Sequence, residues 1–119
     1  MKENIIKTKS FEFAVRIVNL YKHVLEVKKE YILIKQLLRS GTSVGALVRE
    51  AEYAESKNDF VHKMAIAQKE INETLYWLEL LNTTGYLTNE QFISINTDAV
   101  EIIKLITKII KTAKTQINH

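Results

Sequence analysis

The run SKNDFVHKMAIAQKEINETLYWLELL, from Ser56 to Leu81, decides the fold. Its positions Phe60, Met64, Ala67, Ile71, Thr74, Leu78 and Leu81 recur at alternating spacings of four and three. That is the period of a helix with one buried stripe, sustained over three heptads, and not the alternation of a strand. The run also carries its own start signal. The Ser56 hydroxyl can accept from a first-turn amide, and Asp59, three residues on, can return a bond and meets the positive helix end. Tyr76, Trp77 and Leu80 widen the apolar face. Gly85 is suited to a left-handed stop. The spacing predicts a helix over 57–84.

Outward from this helix, Thr88-Asn89-Glu90-Gln91 is a second capping box, and the pattern behind it predicts a helix over 89–117. Its seam is Phe92, Ile95, Ala99, Ile102, Ile106, Ile109, Ala113 and Ile117, flanked by Val100, Ile103 and Ile110. Isoleucine is a weak helix former, so burial must hold this helix.

Toward the N-terminus, a helix is predicted over 31–55 with the seam Ile34, Leu37, Gly41, Val44, Val48 and Ala51. Gly41 and Gly45 share one face. A mid-helix glycine costs about 1 kcal/mol against alanine. The pair reads either as a close helix crossing or as a kink, and Ser40 to Ser43 could divide the helix. A first helix is predicted over 10–29, with Ser10 as N-cap. It carries two seams: Phe11, Ala14, Val18, Tyr21, Leu25, and Phe13, Ile17, Leu20, Val24, Val27. They point roughly 110° apart at 100° per residue. Together they exceed the stripe a helix of a monomeric bundle needs, so a subunit interface is expected, with Phe13 and Ile17 on it.

Short loops between long helices force antiparallel neighbours. The prediction is one all-α domain spanning 1–119, an antiparallel up-down-up-down four-helix bundle. Composition agrees. There is no proline and there are three glycines, against the many tight turns of β architectures. With no cysteine, disulfides, thiolate chemistry and Cys-type zinc sites are excluded, which fits a reducing cytoplasm. The N-terminal run Met1 to Lys7 reads as no secretory signal. Lys104 and Lys108 interrupt the most apolar stretch, Ile102 to Ile110, so no membrane partner is expected.

The residues carry no recognisable catalytic site, and no enzyme activity, metal or cofactor is expected. Gly41-Thr42-Ser43-Val44-Gly45 lacks the strand before it and the Gly-Lys-Ser/Thr that a phosphate loop needs. Asp59-x-x-His62 has the spacing of a bundle metal site but occurs once, at a helix end, so His62 reads as solvated. Glu70 and Glu73 could do acid–base work. A helix hairpin around Ser56 would instead bring Arg39 level with Glu73 as a structural ion pair. Tyr76 and Trp77 read as core or subunit-interface packing, against the alternative of a recognition surface.

Net charge is +3, a mild basic bias. Lys104, Lys108, Lys111 and Lys114 follow the outer side of the last helix, and Lys22, Lys28 and Lys29 cluster at the end of the first. Such runs are usually solvated faces. Repeated around an oligomer they would form a basic belt, and five whole copies would carry a net charge of about +15, enough to attract RNA or DNA phosphates.

Leu38-Arg39-Ser40-Gly41-Thr42-Ser43-Val44-Gly45-Ala46, then Val48-Arg49-Glu50-Ala51, Ala54-Glu55-Ser56, Asp59-Phe60, Ala65-Ile66-Ala67, Lys69-Glu70, Asn72-Glu73-Thr74 and Tyr76 to Leu81, resembles the bacterial four-helix bundle proteins encoded in intervening sequences of 23S ribosomal RNA genes. The accessory protein of diversity-generating retroelements is a relative of that family. The resemblance covers nearly the whole chain. It implies a homopentamer, hints at nucleic-acid binding and supplies no catalytic residue. Where the family pattern usually has Asn, this chain has Leu47, which joins the interface candidates. The functional expectation is a homo-oligomeric binding scaffold. The alternatives are an adaptor for a protein partner and a bundle enzyme or metal carrier.

Overall fold

A computed structural model describes residues 5–117. Helix α1 spans Ile5–His23, α2 Leu33–Glu52, α3 Lys57–Thr83 and α4 Asn89–Ile117. Consecutive helices pack side by side, and α1 closes the ring against α4 through a narrower contact. The result is an antiparallel four-helix bundle about 51 Å long. Met1 to Asn4, within the run expected to carry no secretory signal, and His119 lie outside the described residues. Among the described residues no helix is long and apolar enough to cross a membrane.

The two capping boxes form. The Asp59 amide donates to the Ser56 hydroxyl at 3.0 Å, while Asp59 Oδ2 accepts from the Glu55 amide, one residue earlier than expected. The Gln91 amide donates to Thr88 Oγ1 at 3.1 Å, and Gln91 Oε1 accepts from the Thr88 amide at 2.9 Å. Gly85 takes a positive φ of 89° just past α3. The α3 seam is buried from Met64 to Leu81. In α4 the buried stripe passes through Ile110, with Ile109 half-buried on its flank.

Helix α1 departs most from expectation. Ser10 is not an N-cap. The helix starts at Ile5, and Ser10 lies inside it, buried, with its hydroxyl donating to the Lys7 carbonyl at 3.2 Å. The buried positions Ile6, Ser10, Phe13 and Ile17 form one stripe, so the helical period extends a turn and a half earlier than the apolar residues alone suggest. At the other end α1 does not run on to Lys29. Val24–Lys28 form a π-helical turn, closed by Lys29 at φ 57°. Val24 is buried on the period of the Phe13–Ile17 stripe, and the wider turn that follows leaves Val27 exposed.

Helix α2 is unbroken. The Thr42 hydroxyl donates to the Leu38 carbonyl at 2.7 Å and Ser43 to the Ser40 carbonyl at 2.9 Å, which satisfies both groups within the helix. Gly41 and Gly45 mark a close crossing with α1. A Cβ on Gly41 would sit 2.8 Å from Ile17 Cγ1, and one on Gly45 would sit 3.2 Å from the Ser10 carbonyl oxygen. On the side of α2 that faces α3, the buried Ser40 hydroxyl lies 2.9 Å from that of Thr74, which is 2.8 Å from the Glu70 carbonyl. Among the described residues no buried side-chain polar atom lacks a partner.

Candidate functional site

The crossing of α1 and α2 sorts the two apolar seams of α1. Because glycine lets the backbones approach, the Phe13–Ile17 stripe goes inward, and both side chains are fully buried within this one chain. The expectation that Phe13 and Ile17 face another subunit is therefore corrected: neither side chain reaches the surface. Of the other seam Phe11 alone is exposed, at 55%, with neighbouring Val15 at 45%; Ala14 and Val18 are half-buried, and Tyr21 and Leu25 pack against the core. Phe11, Ala14, Thr42, Gly45, Ala46 and Arg49 line an outer groove of about 270 Å³. The Arg49 guanidinium lies 5.5 Å over the Phe11 ring, a cation–π arrangement that props the ring at the groove edge. The presence of two seams was visible in the sequence. Which of them turns inward was not, because that depends on the partner face of α2.

A second cluster occupies the outer face of α2 and α3. The structure brings Arg39 and Glu73 together, with Arg39 Nη2 donating to Glu73 Oε2 and Nη1 to Glu70 Oε1 at 3.1 Å. The pair is half-exposed. The Trp77 indole N–H also donates to Glu73, at 2.9 Å. That bond and the Arg39 guanidinium hold the Glu73 carboxyl below the usual carboxylate range, an ionised state suited to structure and not to proton donation at neutral pH. Trp77 packs half-buried against the core, while Tyr76 is 57% exposed and meets the Trp77 ring edge-on at 4.9 Å. Leu47 is half-buried and packs against the core.

Every lysine singled out from the sequence is exposed. Lys104, Lys108 and Lys111 fall within about 60° of arc, pointing roughly opposite the buried stripe of α4, with Lys114 to one side. They do not join Lys22, Lys28 and Lys29. Lys9 bridges Glu101 at 3.0 Å and Arg16 bridges Asp98 at 2.5 Å, and these pairs set the register of α1 on α4. In that register Lys22 and Lys104 are about 24 Å apart along the axis, well beyond a Debye length of about 8 Å. The chain thus carries two basic clusters toward opposite ends, in place of a continuous belt. His62 is exposed, and among the described residues no three His, Cys, Asp or Glu gather to hold a metal ion.

A comparison with curated proteins gives no match. Among solved structures, a crystal structure of a protein with unknown function from the S23 ribosomal protein family of Bacteroides thetaiotaomicron VPI-5482 is 60% identical. The match covers 90% of this chain and 99% of that one, with a TM-score of 0.89. The family model described as 23S rRNA-intervening sequence protein matches residues 2–108, nearly the whole bundle. On both matches, the chain belongs to the 23S rRNA-intervening sequence protein family.

Proposed function

We propose that this protein is a non-enzymatic assembly module, whose α1–α2 outer face joins copies of the chain into a homo-oligomer, on the resemblance a pentamer. The exposed Phe11–Val15 patch on α1 carries the proposal. Phe11 and Val15 stand in water beside a groove floored by Gly45 and Ala46, where a neighbouring helix can approach closely. Burying a phenylalanine side chain is worth about 1.5–3 kcal/mol, so this face gains most from a partner of the same kind. Assembly would leave the lysine stripe of α4 free, and we propose nucleic-acid phosphates as its ligand.

The test is Phe11→Asp with Val15→Asp. Both positions are exposed, so the fold is expected to keep its helix content while the mass drops to the 13.8 kDa of one chain. An unchanged mass would remove the α1–α2 face as the interface. Charge reversal at Lys104, Lys108 and Lys111 should then abolish low-salt RNA binding by the assembled form. Binding indifferent to salt would refute phosphate contact, because released counterions make such contacts salt-dependent.

A protein-adaptor reading is favoured by Tyr76, Trp77 and Arg39, residue types enriched at binding hot spots and gathered here on one half-exposed face. Recovery of one protein partner after nuclease treatment, lost on Tyr76→Ala, would select it over the nucleic-acid reading.

A further inference from the structure

A groove at one end of the bundle plays no part in either surface above. It has a volume of about 560 Å³, receives residues from all four helices, and lies at the end where α1 begins and α2 finishes. Ala51 of α2 and Met64 of α3, both nearly fully buried, form its floor. Ile6 of α1 and Leu105 and Ile109 of α4 form its walls. It exists because α1 closes on α4 only narrowly, with the Lys9–Glu101 pair, among the described residues, the last ion pair between them toward this end. The volume falls within the range of about 300–1,000 Å³ typical of small-molecule sites.

The chemistry of the lining sets the class of ligand. Among the described residues the ionisable side chains that line it are Lys7 and Glu52, and they neutralise each other at the rim, 3.1 Å apart. An ionic headgroup would have to break that pair or enter an apolar wall without a counter-charge, and either is unfavourable. The floor offers a methionine, whose flexible thioether adapts to irregular apolar shapes. We propose that this groove is a binding site for an uncharged, mainly aliphatic or aromatic small molecule, inserted between α1 and α4 with its free end toward the Lys7–Glu52 rim. It shares no residue with the Phe11–Arg49 groove, so it stands or falls separately from the assembly proposal.

The test uses the full chain and the neutral fluorophore N-phenyl-1-naphthylamine, whose emission rises in apolar surroundings. Saturable binding of one probe per chain is expected. Ala51→Phe fills the floor and Ile109→Gln places an amide in a half-buried wall. Each should weaken binding by about tenfold or more. The second variant keeps the test open if the first fails to fold, and circular dichroism checks both. The anionic analogue 8-anilinonaphthalene-1-sulfonate should bind about tenfold more weakly than the neutral probe. The absence of saturable binding overturns the proposal, as does wild-type affinity in folded forms of both variants. Equal affinity for the anionic probe overturns the uncharged class. Loss of probe binding in step with a rise in mass on concentrating the protein would show instead that a second copy covers the groove.

Discussion

Replacing Gly41 with alanine places a methyl group 2.8 Å from Ile17 Cγ1 and 3.0 Å from its Cδ1 and Cγ2. Three atoms of one fully buried, β-branched side chain crowd the new group together, so no rotation of a flexible tip relieves it. Overpacking of this kind costs about 1–3 kcal/mol. Alanine in place of a mid-helix glycine returns about 1 kcal/mol of helix propensity. The net expectation is a loss of up to about 2 kcal/mol. The sign should reverse in an Ile17→Ala background. That change alone costs about 2–5 kcal/mol through its cavity, but it removes the three atoms nearest the new methyl. There Gly41→Ala should stabilise by about 1 kcal/mol. The cycle is read by urea unfolding at one fixed protein concentration, with the slope checked for constancy, since any self-association shifts apparent stability. A gain of about 1 kcal/mol for Gly41→Ala in the wild-type background, the value for an open helix position, would refute the close crossing.

Four further outcomes follow from local geometry. Ser56→Ala should cost about 1 kcal/mol by removing the oxygen that receives the Asp59 amide, measurable in the same unfolding assay. Gly85→Ala meets no neighbour within 4 Å, so its expected loss of about 1–2 kcal/mol is purely that of holding alanine at φ 89°; no loss would contradict that conformation. A double-mutant cycle on Arg39 and Glu73 should return a coupling below about 1 kcal/mol, because the pair is half-exposed and screened. The Glu73 carboxyl titrates lower in the folded chain than in the unfolded one, so the folded state binds fewer protons. Its stabilisation is therefore present above the ordinary carboxylate value of about 4.3 and is lost as pH falls through the folded value. Glu73→Gln should flatten that part of the acid limb, and an unchanged limb would assign it elsewhere.

Local signals were legible wherever they are self-contained. The caps at Ser56 and Thr88 and the stop at Gly85 each depend on a few adjacent residues, and the α3 heptad depends on one helix. The level of Arg39 with Glu73 follows from counting back along a hairpin. The misreadings share another cause. Ser10 has the chemistry of a cap, and it took the facing Gly45 to make it a small buried residue at a crossing. The choice between the Phe11 and Phe13 seams rests on the same contact, which no period within α1 encodes. The π-turn at Val24–Lys28 shifts Val27 out of the seam by altering the helical period itself, so a reading that holds 100° per residue carries the error forward. The lysines were seen individually, while their separation into two clusters needed the register that Lys9 and Arg16 set on α4.

Absolute mass in solution by light scattering tests the central claim of self-assembly most directly, at two protein concentrations and two salt concentrations. A mass near five times the 13.8 kDa of the chain, stable to dilution, is the predicted result. A mass of 13.8 kDa under all four conditions would contradict it and leave the Phe11 face without a partner of its own kind.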